Sequence, residues 1–127
     1  MMNSNKRVQD AIDRACAKLE LTVKDMGVSL AFTTSNISEL EEVLLAVRDM
    51  GDESALSGAC FMVGAYIGEL LRRVIGGQWA MSADGVASLQ FPDGGDKIFP
   101  VEKVRKFIQN PDGESLVFYA QALLTRN

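Results

Sequence analysis

The stretch Gly64-Ala-Tyr-Ile-Gly-Glu-Leu-Leu-Arg-Arg-Val-Ile-Gly-Gly-Gln-Trp79 holds the transition on which the fold turns. Upstream of Gly76 the apolar residues recur at helical spacing, and downstream they alternate. Extended back to Asp52, the pattern predicts a helix over residues 52–75, roughly 35 Å long at 1.5 Å per residue. Cys60, Gly64 and Gly68 fall four apart, so one side of this helix is built of small residues. Each interior glycine costs about 1 kcal/mol relative to alanine. Two on one side therefore imply close approach by another part of the chain. Gly76 is expected to cap the helix in a left-handed conformation, and Trp79 to pack back over it. Glu69 stands three residues before Arg72 and four before Arg73, a spacing that lets either arginine pair with it along the helix surface.

Downstream, residues 78–81, 86–91 and 96–99 read as three short strands. They are separated by Ala83-Asp84-Gly85 and Pro92-Asp93-Gly94-Gly95, and Asp-Gly between β-forming runs signals a hairpin. In the middle run Ala87, Leu89 and Phe91 alternate with Ser88 and Gln90, which predicts one covered face and one wet face. Pro100 suits the first turn of a fourth helix, with Val101, Val104, Phe107 and Ile108 on its apolar side. Asn110-Pro111-Asp112-Gly113 breaks the chain before a fifth helix over residues 114–125. Upstream, Val8, Ile12, Ala15 and Leu19 make an apolar stripe on a first helix over residues 6–21. Residues 25–34 read as a linker in preference to an edge strand. Asn36 with Glu39 three residues on resembles a capping box for a second helix, which buries Ile37, Leu40, Val43, Leu44 and Val47 and ends at Gly51. The fold class is α+β in a single domain of 127 residues. It has a helical N-terminal half, a long central helix, a three-stranded antiparallel meander and two closing helices.

The segment resembles a family of small, uncharacterised bacterial domains with the pattern G-x-Y-x-G-E-x-x-R-R-x-x-G-G-x-W. The correspondence lies at Gly64, Tyr66, Gly68, Glu69, Arg72, Arg73, Gly76, Gly77 and Trp79. It continues at Pro92-Asp93-Gly94, Phe99-Pro100 and Lys103-Val104. The resemblance covers roughly residues 36–124 and implies no catalytic residues. Residues 1–35, an N-terminal helix and linker, look particular to this chain.

The chain has no histidine, which excludes mechanisms that need an imidazole base or ligand, including the usual triads and most catalytic zinc sites. Cys16 and Cys60 sit in apolar helical patterns and read as buried free thiols. Asp93 and Asp96 flank two glycines but supply too few oxygens for calcium, which takes about 6–8. No metal or cofactor is expected. The net charge is −4, and the acidic excess lies in the first half, so nucleic-acid binding is disfavoured. Residues 55–71 are the most apolar window but carry Ser57, three glycines and Glu69, which disfavours a membrane span. The N-terminal residues lack the apolar run of a secretory signal, and a cytoplasmic location is expected.

These readings favour a non-catalytic protein-interaction domain, such as an immunity or inhibitor protein that neutralises a toxin or enzyme. The candidate surface is acidic: Glu39, Glu42 and Asp49 on the outer side of the second helix, with Asp52 and Glu53 beyond Gly51. Only Arg48 interrupts these acids, and the expected partner is a protein with a basic surface. A homodimer is an open alternative if the glycine-bearing face is bare. The alternative function is a small anion-binding module using Arg72 and Arg73, whose guanidinium forks suit phosphate or carboxylate, with Lys103, Arg105 or Lys106 in support.

Overall fold

The computed structural model describes residues 4–126. Five helices and three strands follow one another as α1 (Ser4–Lys24), α2 (Thr34–Asp49), α3 (Glu53–Ile75), β1 (Gln78–Met81), β2 (Ala87–Gln90), β3 (Lys97–Ile98), α4 (Pro100–Gln109) and α5 (Leu116–Arg126). The class is α+β, with a helical N-terminal half and closing C-terminal helices. The strands form an antiparallel meander in the order β1-β2-β3. Trp79 lies opposite Leu89, and Leu89 opposite Ile98.

α3 is the axis of the molecule, and the other four helices pack around it. Its length and apolarity alone would let it cross a membrane, and 61% of its most apolar window is buried inside the fold. From Val63 to Leu71 every residue is buried. Gly64 and Gly68 are what allow this. A Cβ on Gly64 would stand 2.6 Å from the Cα of Val101, and one on Gly68 would stand 2.2 Å from the Trp79 ring. The close approach implied by the glycine spacing is thus made within the chain, by the start of α4 and by Trp79, and the face is not bare. The helix ends where Gly76 adopts φ 97° and ψ −176°. That is not the left-handed cap expected but a region open almost only to glycine. Gly77 follows at φ 124°, and a side chain there would strike the carbonyl of Gln90.

One contiguous hydrophobic core runs from Val8 to Leu123 and joins all five helices to the sheet. α1 is longer than its stripe predicts and packs along both α3 and β1. Residues 25–33 form no strand, yet they are not a loose linker, because Val28, Leu30 and Phe32 pack against the core. β2 departs from simple alternation: Ser88 is buried as well as Ala87 and Leu89, leaving Gln90 exposed. α1 reaches that side of the sheet, where Asn5 Nδ2 donates to Gln78 Oε1 at 3.3 Å.

Candidate functional site

Glu69 is the most unusual side chain in the fold, a carboxylate only 1% exposed. Its place on α3 points it at α1 and β1. Oε1 accepts from Arg72 Nε at 2.8 Å, from Trp79 Nε1 at 3.0 Å and from Gln9 Nε2 at 3.1 Å. Oε2 accepts from Arg72 Nη2 at 2.8 Å, with Arg73 Nε 3.7 Å away. Burial pushes this carboxyl up, but the hydrogen bonds from Arg72, Gln9 and Trp79 outweigh burial and hold it down at about 2. It is ionised at neutral pH, and both oxygens are taken. The exposed ion pair suggested by spacing is therefore a buried hub that ties α1, α3 and β1 together. The reason is tertiary: the Trp79 indole N–H needs an acceptor when its ring is buried, and Gln9 arrives from sixty residues away.

Arg73 has a different use. Its guanidinium lies 3.7 Å over the centroid of the Phe32 ring, and that ring stacks on Tyr66 with centroids 4.6 Å apart. Phe32 has φ 53°, unusual for a bulky residue. The strain is offset by this sandwich and by its N–H, which donates to the Tyr66 hydroxyl at 2.6 Å. That hydroxyl in turn donates to Asn36 Oδ1 at 3.1 Å. Arg72 and Arg73, the proposed anion ligands, are thus committed to Glu69 and Phe32. Lys103 does not join them, since it pairs with Glu114. Arg105 faces Cys60, about 18 Å along α3 from Arg72 at 1.5 Å per residue.

Asn36 is a second buried polar hub, not the cap that its spacing suggests. α2 begins two residues earlier, with Thr33 at the N-cap position and no side-chain cap bond. Asn36 Oδ1 accepts from the Ala31 N–H, the Thr33 hydroxyl and Tyr66. Its Nδ2 donates to the Ser29 carbonyl and to Glu39 Oε1. The amide thereby holds the 29–33 loop in place. A signal was present, because residues 36, 40, 44 and 47 share one helical face and an asparagine there is inside. Gln9 and Phe32 had no comparable signal, and Tyr66 was marked only by the motif, since their partners are remote in sequence.

The acidic candidates divide. Glu39 is half-buried and serves Asn36. Their neighbour Glu41 accepts the Leu116 N–H at 2.8 Å and caps α5, where a carboxylate suits the helix dipole. Asp52 is exposed but caps α3 by accepting from the Ala55 N–H. Asp49 is exposed and partly compensated by Arg48, whose Nε lies 3.1 Å away and whose Nη1 donates to the Ile108 carbonyl. Glu42 and Glu53 are exposed, and their side chains enter no hydrogen bond or ion pair among the described residues. Between these acids stands Met50, 75% exposed, in the turn closed by Gly51.

Among the described residues no three His, Cys, Asp or Glu side chains converge on a metal site. Both cysteines are free and buried, and burial pushes the Cys16 thiol up to about 12, which leaves it unreactive at neutral pH. Comparison with protein-family models, curated proteins and solved structures finds no match to this chain.

Proposed function

We propose that this chain is a non-catalytic protein-interaction domain whose α2–α3 turn engages a basic partner. The observation that carries the reading is Met50, a long apolar side chain held in solvent with exposed acids on both sides of it in the chain. Asp49, Asp52 and Glu53 flank it in sequence, and Glu42 lies two turns back on the same side of α2. An apolar anchor with a charged rim is how interface centres are built, the anchor supplying affinity and the rim supplying rate. Methionine suits such a place because it adapts to its partner's surface. Buried Glu69 and half-buried Glu39 are spent on structure, so they add nothing to this surface.

A partner with a cationic cleft, such as an enzyme that acts on phosphate-bearing substrates, fits this surface, and the chain would act as its inhibitor by occupying that cleft. The test begins with a photoreactive residue at position 50 and a control at exposed position 21 of α1, to crosslink the partner in the source cell. Reversing Glu42, Asp49 and Glu53 to lysine should then slow association with that partner by about tenfold or more at low salt, with circular dichroism unchanged. Glu39 is left out because its carboxylate holds Asn36. Met50→Ala should speed dissociation while leaving the on-rate intact. An unchanged on-rate in the folded triple variant would end the proposal.

A further inference from the structure

We propose that the recess between β3 and α5 binds a carboxylate carried on an aromatic or branched apolar group. This goes beyond the α2–α3 turn and shares no residue with it. The recess encloses about 530 Å³, inside the range of about 300–1,000 Å³ typical of small-ligand sites. Its wall on α5 is aromatic, formed by Phe118 and Tyr119, with Ile98 of β3 opposite. Phe118 is 72% exposed although it is large and apolar, so the ring is offered without being covered by the fold.

The polar groups around this wall favour an anion. Lys97, Lys103 and Arg126 line the recess with one acid, Asp96, and a second acid, Glu114, stands on Lys103. Two of these cations have partners: Lys103 Nζ donates to Glu114, and Arg126 Nη2 to Asp96. Neither is exhausted, since an ammonium carries three donors and a guanidinium five. The Lys97 side chain enters no hydrogen bond or ion pair among the described residues. Lys103 also stands 5.4 Å over the Tyr119 ring, which keeps its charge beside the aromatic wall. The Tyr119 hydroxyl has no hydrogen-bond partner among the described residues. Burial pushes it up to about 12, so at neutral pH it remains an O–H donor in a half-buried place. The hydroxyl is not sealed from solvent, so it is open to donate to a ligand oxygen.

The same chemistry comes from two sources, a free aromatic acid and the C-terminal residue of a peptide. Titration of ¹⁵N-labelled protein with N-acetylphenylalanine, with its carboxamide, and with a pentapeptide ending in phenylalanine separates them. The acid should give saturable shifts at residues 96–98 and 115–126, and the carboxamide should not. Lys103→Gln and Arg126→Gln should each weaken binding about tenfold, the worth of one charge-assisted hydrogen bond. Tyr119→Phe should weaken it severalfold with melting temperature unchanged, because the lost hydroxyl has no protein partner, and this variant decides the matter if Lys103→Gln fails to fold. Tighter binding of the peptide assigns the site to a chain terminus, and tighter binding of the acid assigns it to a small molecule. Equal binding of acid and carboxamide, shifts centred on Arg72 and Arg73, or no saturable shift would each overturn the proposal.

Discussion

The two halves of α3 are built from similar residues and live in opposite surroundings. In the N-terminal half, Glu53 and Gly58 are exposed, and a Cβ on Gly58 would meet nothing within 4 Å. In the C-terminal half, Glu69 is buried under four hydrogen bonds, and a Cβ on Gly64 or Gly68 would strike Val101 or Trp79. The same residue type is solvent-facing at one end and structural at the other. What differs is what packs there: Trp79, the start of α4 and Gln9 of α1 all converge on the second half. The comparison teaches where to look for function. The motif-rich end is consumed by folding, and the plainer end, with Met50 and its acids, is left available.

The largest effect that could break this comparison is loss of the Glu69 carboxylate. Glu69→Ala strands Arg72, Trp79 Nε1 and Gln9, and should cost about 3–5 kcal/mol, as removal of one member of a buried charged pair does. Glu53→Ala should stay within about 0.5 kcal/mol. Urea unfolding of both variants measures the contrast, and similar costs would abolish it.

Next in size is the pH dependence. The Glu69 carboxyl is held at about 2, below its ordinary 4.5. A depressed carboxyl contributes stability that is complete above its unfolded value and is lost as pH falls through its folded value. The window therefore runs from about pH 5 down to pH 2, with a size of about 3 kcal/mol. Unfolding free energies at pH 7 and pH 3 should fall more steeply for the parent than for Glu69→Gln. Equal slopes would mean that another acid carries the dependence.

Overpacking comes third. Gly68→Leu should cost roughly 1–3 kcal/mol or more, since the Trp79 ring occupies the space that its Cβ needs. A variant that melts at or above the parent temperature would show that the tryptophan swings away freely. The smallest effect has the opposite sign. Gly58 sits in a helix with open space around it, so Gly58→Ala should gain about 1 kcal/mol from backbone entropy and helix propensity. A loss at position 58 would mean that a contact covers that face in solution, which would sharpen the comparison by placing an interface there.

The sequence by itself determined the elements of this protein and their order. The 3.6-residue periodicity up to Gly76, the alternation after it, the two Asp-Gly turns and the proline at the start of α4 are local signals, and each acts within a few residues. They suffice for five helices, an antiparallel meander and the α+β class. The glycine spacing on α3 even announced a close contact, though not with what. Only the tertiary structure decided the roles of the polar residues. Glu69 looked like half of a surface ion pair because helical spacing sees its neighbours at 72 and 73 and not Gln9 or Trp79. Asn36 looked like a cap because a capping box reads four residues, whereas Tyr66, the donor that fixes it inside, is thirty residues away. Glu41 serves the open N-terminus of α5, which begins 75 residues further on. Hydrogen-bond partners distant in the chain are chosen by packing, and packing is cooperative over the whole core, so no window of sequence contains that information.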